Sequence, residues 1–275
     1  MQKLKLEAFT DYLQPRARDS QKGDFGHVLI MGGAPGYSGA VLLAAEAALR
    51  VGAGLVSIAT HPDHAGMLTV FRPEIMCHGI DSGESLAALI AKATVLVLGP
   101  GLGQSAWSQM IFNQVFLSEK NMIVDADGLN LLANQSIKKA NWILTPHPGE
   151  AGRLLKKSTQ EIQQDRVSAV SLLQKKYDGW IVLKGAGTLV AGPDGQPDIC
   201  MAGNPGMATG GMGDVLSGVL GGLVAQHVPL NIAAKLGVIV HATAGDLAAK
   251  TGERGMIASD LMCYLRDIVN LNKRS

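Results

Sequence analysis

The sequence is poor in aromatic residues, in cysteine and in net charge. Phe, Tyr and Trp together make 4% of 275 residues, and the formal net charge is +1. A near-neutral chain with few rings to stack on bases gives little support for nucleic-acid binding. The three cysteines, Cys77, Cys200 and Cys263, lie far apart, and no CxxC pair or Cys/His cluster points to a zinc site or redox dithiol. So sparse and odd a set suits a reducing cytoplasm. No continuous run approaches the ~18 apolar residues of a membrane span. The opening segment, Met1 to Leu13, lacks the apolar core of a signal peptide. A soluble cytoplasmic protein is expected. Apolar residues are not scarce: at 47%, with so little net charge, they argue against disorder.

Glycine is in excess. There are 34 in 275 residues, about 12%, against a usual share of roughly 7%. They have no three-residue period, which excludes collagen. Their placement is informative because short apolar runs alternate with longer helix-like segments. Strands are expected at 27–31, 55–59, 95–98, 122–124, 142–144, 180–183 and 188–191. Helices are expected at 39–51, 85–92, 106–118, 160–177, 213–226, 232–250 and 259–270, with the C-terminal third the more helical. Several strands are apolar at every position, as in Val95-Leu96-Val97-Leu98, which suits a sheet buried on both faces. The alternation predicts an α/β fold with a largely parallel sheet. With no linker, charge block or repeat, residues 1–275 read as a single domain.

The early strands end in Gly- or Pro-rich loops: Gly32 to Gly36, Gly99 to Gly103 and Thr145 to Gly149. Ligands of open α/β sheets bind outside the carboxyl ends of the strands, so these glycines are expected along a ligand edge. Gly218, Gly221 and Gly222 are instead expected to serve helix packing.

The segment from Gly203 to Gly213 leads into a helix whose first turn holds Asp214. Its glycines and the helix start could form an anion hole. A carboxylate there would repel phosphate unless it acts on something else, such as a hydroxyl proton; the plainer reading is an Asp favourable to the helix dipole. No Lys-Ser/Thr follows, so this is not a Walker A loop. Lys184-Gly185-Ala186-Gly187-Thr188 could place an ammonium on a phosphate, or be a hairpin turn with a solvated lysine. His147, between two prolines, could be a ligand contact or acid/base, or merely structural. Asp125 and Asp127 could hold Mg²⁺ through water, though a strand-end turn with Asp127 as N-cap reads better. His61, His64, His78 and His227 lack ligand spacing and read as surface residues. Ser259 is expected to cap the last helix.

In order along the chain, Lys22 to Gly26 (KGDFG), Gly32-Gly33, Leu98 to Gly103 (LGPGLG), Asp125 to Asn130 (DADGLN), Thr145 to Glu150 (TPHPGE), Lys184 to Thr188 (KGAGT) and Gly203 to Asp214 (GNPGMATGGMGD) resemble the ADP/ATP-dependent NAD(P)H-hydrate dehydratase family. The resemblance covers about Lys22 to Asp267 and implies a ribokinase-like, three-layer α/β/α fold. It implies nucleotide-driven dehydration of the S-epimer of hydrated NADH or NADPH. It matches Lys184, Gly185, Ala186, Gly187, Thr188 and Gly213 to nucleotide contacts. Ala40, Gly103, His147 and Asp214 match contacts to the hydrated dinucleotide, with Asp214 as the base. ADP or ATP is the implied co-substrate, with Mg²⁺ but no nameable metal ligands. The resemblance also suggests a homo-oligomer, a tetramer, and a separate epimerase, for which the chain leaves no room. A small-molecule alcohol kinase of the same fold, of hydroxymethylpyrimidine or hydroxyethylthiazole type, is the competing reading. It would share Asp214 and the Gly-rich loop but stop at the phosphorylated product. A non-catalytic nucleotide-binding protein is the third, disfavoured by an intact Asp214 and Lys184.

Overall fold

A computed structural model describes residues 1–193 and 195–271. In chain order the elements are β1 His27–Met31, α1 Ser38–Arg50, β2 Leu55–Thr60, α2 Pro62–Phe71, β3 Met76–Gly79, α3 Gly83–Lys92, β4 Val95–Leu98, α4 Ala106–Phe116, β5 Asn121–Val124, α5 Ala126–Leu132 and β6 Trp142–Leu144. They continue with α6 Pro148–Leu155, α7 Thr159–Gln164, α8 Arg166–Tyr177, β7 Trp180–Leu183, β8 Thr188–Ala191, β9 Asp198–Cys200, α9 Met212–Ala225, α10 Leu230–Ala248 and α11 Leu261–Ile268. One sheet holds the strands in the order β3-β2-β1-β4-β5-β6-β7-β8-β9. Pairing is parallel from β3 across to β7 and antiparallel at β7–β8 and β8–β9.

The two-residue period of a strand divides each apolar run between two cores. Val28, Ile30, Val95, Val97, Ile123 and Val182 face one layer, formed by α1, α9, α10 and α11. Leu29, Met31, Leu96, Leu98, Val124 and Leu183 face the other, formed by α3 to α8. This is the expected three-layer α/β/α arrangement with a largely parallel sheet. The α1 and α9 backbones meet closely: a Cβ on Gly218 would lie 2.0 Å from the Ala44 carbonyl oxygen. Gly218, Gly221 and Gly222 do serve packing. By length and hydropathy alone, Leu230–Thr251 is apolar enough to cross a membrane, but 67% of that window is buried inside the protein, as in a core helix.

Several local expectations need correction. The helix expected over 160–177 is two, because Asp165 leaves helical geometry and its side chain accepts from Ser168 N at 2.9 Å, starting α8 afresh. Ser259 does not cap α11. Asp260 holds that position, and its carboxylate accepts from Ile257 N. His61 and His64 are not free surface residues: His61 Nδ1 accepts from Asp63 N at 3.4 Å, and His64 Nε2 lies 2.9 Å from the Gly33 oxygen.

Candidate active site

Strand order reverses between β1 and β4, where an open α/β sheet splits its connections and leaves a crevice. The loops after β1 and β4 line it and are tied together. Gly33 N donates to Pro100 O at 3.0 Å and Ala34 N to Gly101 O at 2.7 Å. A Cβ on Gly32 would lie 1.9 Å from Pro100 O, and one on Gly99 1.8 Å from Asp125 O. These two strand-end glycines therefore serve backbone-on-backbone approach inside the protein rather than facing a ligand. Gly36 and Gly39 after β1, and Gly210 before α9, are open, with nothing within 4 Å of an added Cβ. Ala40 sits half-buried in the first turn of α1, beside Gly101. Gly103 N donates to Asp127 Oδ2 at 2.9 Å, and Asp127 Oδ1 accepts from Asn130 at 3.0 Å. Asp127 thus fastens the β4 loop. The N-cap of α5 is Asp125, not Asp127.

Asp125 is 1% exposed, and both its oxygens are engaged. Oδ1 pairs with Lys184 Nζ at 2.6 Å, and Oδ2 accepts from Ser217 Oγ at 2.7 Å. Lys184, at the end of β7, is therefore not a solvated hairpin lysine, although the β7–β8 connection is a hairpin. Burial opposes its charge, but Asp125 and Glu150 outweigh that and hold its pKa up. Lys184 N donates to Pro146 O at 2.9 Å, which fastens the β7 end to the β6 loop.

The β6 loop turns into α6 through a reciprocal cap. His147 Nδ1 accepts from Gly149 N at 3.0 Å, and Glu150 Oε2 accepts from His147 N at 2.8 Å. His147 is half-exposed, and burial and then Lys184 push its pKa down. Glu150 is buried, 3.8 Å from Lys184 Nζ. Burial pushes its carboxyl up to about 7 against the pull of Lys184.

Asp214 lies half-buried in the first turn of α9, and among the described residues no hydrogen-bond partner engages its carboxylate. Burial first, then repulsion from Asp125, pushes it up to about 7. The neighbouring Gly213 faces the ion pair: a Cβ there would lie 3.3 Å from Lys184 Nζ and 3.5 Å from Asp125 Oδ2. The start of the Gly-rich segment is pinned to α10, where Asp246 accepts from Gly203 N at 2.9 Å and Asn204 Nδ2 at 3.0 Å.

The structure thus gathers Lys184, Gly213, Asp214 and His147 around one carboxylate cluster, and joins Gly103 to it through Asp127 and the β4–β5 loops. Ala40 stands apart on α1. The sequence left Glu150 and Ser217 without a role. A glutamate in the first turn of a helix reads as an ordinary capping residue, and nothing in the spacing marks its burial. A carboxyl held near neutrality beside a cation and open helix amides can take a proton at neutral pH while an anion sits beside it. A separate groove of about 1020 Å³, lined in part by Arg16, Arg50, Arg72 and Arg266, contains none of these residues.

Residues 28–267 match the model of a family described as NAD(P)H-hydrate dehydratase. The chain is 53% identical over 259 residues to the bifunctional NAD(P)H-hydrate repair enzyme Nnr of Coxiella burnetii, covering 94% of this chain and 53% of that protein. It is 46% identical over 271 residues to the enzyme of the same name from Escherichia coli, covering 98% and 52%. The chain therefore spans about half the length of the curated relatives it matches. A crystal structure of ADP/ATP-dependent NAD(P)H-hydrate dehydratase from Bacillus subtilis, co-crystallized with ATP/Mg²⁺, superposes with a TM-score of 0.88 at 29% identity, covering 97% of both chains. A hydroxyethylthiazole kinase from Pyrococcus horikoshii shares the fold, with a TM-score of 0.67 at 13% identity, covering 97% and 95%.

Proposed function

The chain belongs to the NAD(P)H-hydrate dehydratase family, and from that we infer that it restores NADH and NADPH from the S-epimers of their hydrates at the expense of ADP or ATP. The observation that carries the reading is the unpartnered carboxylate of Asp214, raised to about 7, beside Gly213 and the Lys184 ammonium at the carboxyl edge of the sheet.

Hydroxide leaves a ring carbon poorly and phosphate leaves well, so the hydroxyl is activated by phosphorylation. Asp214 takes the hydroxyl proton as the oxygen attacks the terminal phosphorus, and AMP or ADP departs. The carbon–oxygen bond then breaks and phosphate leaves with the bonding pair, and the neighbouring ring carbon gives up a proton to solvent as the ring double bond returns. Lys184 and the amides of Gly185, Ala186, Gly187, Thr188 and Gly213 hold the nucleotide phosphates, as positioning and fixed dipoles do in phosphoryl transfer. Ala40, Gly103 and His147 hold the dinucleotide.

Mg²⁺ accompanies the nucleotide in this reading. Among the described residues no group of three or more His, Cys, Asp or Glu side chains forms a cage, but Mg²⁺ commonly takes one or two carboxylates, phosphate oxygens and waters. Glu150, which burial raises to about 7 against the pull of Lys184, fits as that carboxylate. When bound, the ion supplies charge neutralisation on the phosphates. The cytoplasmic location and a homotetramer complete the proposal; the sparse cysteines, all free, support the first.

The test is incubation with hydrated NADH plus ADP or ATP, following the absorbance of the reduced nicotinamide. Recovery with either nucleotide is the expected result. No recovery, together with phosphorylation of an alcohol substrate, would sink the dehydratase reading in favour of a kinase.

A further inference from the structure

We propose that Arg166 is the positioning residue that turns the amides of Gly185 and Gly187 outward, and so sets the affinity for nucleoside polyphosphate. This rests on the reading that the Lys184–Thr188 loop receives nucleotide phosphates. Arg166 opens α8, where a cation opposes the helix dipole, so its place calls for another reason. Its guanidinium reaches the β7–β8 hairpin. Nη2 donates to the carbonyls of Leu183 at 3.1 Å and Lys184 at 3.3 Å, and Nη1 donates to the Ala186 carbonyl. A Cβ on Gly185 would lie 3.3 Å from both Nη atoms, so the loop backbone rests directly on the guanidinium.

In a trans peptide the C=O and the N–H of one unit point in opposite directions. The three carbonyls held by Arg166 belong to the units whose N–H groups are those of Lys184, Gly185 and Gly187. Lys184 N–H is used by Pro146 O at 2.9 Å. Those of Gly185 and Gly187 have no acceptor among the described residues, and face away from the arginine. Neighbouring outward amides make an anion site. The arginine also brings charge: among the described residues no carboxylate lies within salt-bridge distance of it, and its buried Nε has no partner.

The experiment is calorimetric titration of ADP into wild type, Arg166→Lys and Arg166→Gln, with steady-state kinetics and melting curves. Both variants lose the forked contact, and ADP affinity is expected to fall roughly ten- to a hundredfold. The nucleotide KM should rise in step, while kcat at saturation and the KM for the hydrated dinucleotide move less than about twofold. Wild-type affinity in Arg166→Lys would overturn the positioning role, since charge alone would then suffice. A lowered melting temperature with unchanged ADP affinity would overturn it too, leaving only a structural tie. Should the variants not fold, amide NMR of wild type decides: the Gly185 and Gly187 resonances must shift on saturation with ADP, and unmoved resonances refute the proposal. A wild type that binds no ADP would sink the nucleotide reading itself, before any variant is made.

Discussion

At the floor of the site, Asp125 is 1% exposed yet has a cation at 2.6 Å and a hydroxyl at 2.7 Å. At the rim, Asp214 has no hydrogen-bond partner among the described residues, and Glu150 stands 3.8 Å from the same ammonium. The most buried carboxylate is the best satisfied, while the two less favoured ones are raised to about 7. Burial alone does not decide which carboxylate holds a proton at neutral pH. One lysine divides among three acids, and the nearest takes it. The floor is a balanced ion pair; the rim is where charge is left to be compensated by a proton, a metal ion or a substrate group.

The largest expected break in this contrast comes from Asp214→Asn, which keeps shape and removes the base. Turnover should fall by roughly a hundred- to ten-thousandfold, with ADP affinity within a few-fold of wild type by calorimetry. Full activity would remove Asp214 from the mechanism and erase the difference drawn between its rim position and the floor.

Lys184→Met attacks the floor. It leaves Asp125 buried without its cation, a change that costs about 3–5 kcal/mol where the pair is fully buried. Lys184 is 19% exposed, so about 2–3 kcal/mol is expected in urea denaturation. Adding Asp125→Asn removes the stranded charge and should recover part of the loss; a strictly additive double variant would show that the two residues do not interact.

Much of this frame could be read from the residues, and the unread part has a physical pattern. Strands apolar at every position, such as β4 and β7, announce themselves because both faces are buried. The edge strand β3 (MCHG) was missed because none of its four residues is buried, and β9 because it is a three-residue edge. Helix α2 buries only Leu68, so it shows no apolar stripe. Helices α5 and α6, of seven and eight residues, are too short to show a period. In the site, Gly213, Asp214 and Lys184 stood out by their loops. What no local pattern reveals is partnership across the sheet: Asp125 and Lys184 meet because β5 and β7 flank β6, and Gly32 and Gly99 face inward because two loops press backbone to backbone.

A smaller effect follows from pH. The rim carboxyls rise to about 7 on folding, from 3.8 for Asp214 and 4.5 for Glu150. The folded state therefore holds protons that the unfolded chain releases, so their contribution is intact below about pH 4 and lost as pH rises through about 7. Free-enzyme stability should decline over that window, while kcat/KM climbs across it as the base loses its proton. The two groups act together, so the profile belongs to the pair. Glu150→Gln removes a like charge facing Asp214 and should move the activity midpoint to lower pH. A midpoint that stays put would uncouple the two.

The smallest effect is the most discriminating for His147, which belongs to the rim yet has a plain structural task. Its Nδ1 accepts from Gly149 N at 3.0 Å, so His147→Ala should cost about 1 kcal/mol of stability as a lost N-cap. His147→Asn supplies another capping acceptor, and its melting temperature should stay close to wild type. The return bond from His147 N to Glu150 Oε2 at 2.8 Å is backbone-donated and survives in both. With its pKa pushed down and Nδ1 committed as an acceptor, the imidazole is neutral and carries its proton on Nε2, which lies 3.4 Å from Glu150 Oε1. It can hold the dinucleotide but cannot supply a proton at neutral pH. Both substitutions should therefore raise the KM for hydrated NADH by a similar factor and leave the shape of the pH profile unchanged. A wild-type KM in His147→Asn would reduce His147 to the cap alone and confine the working part of the rim to its two carboxylates.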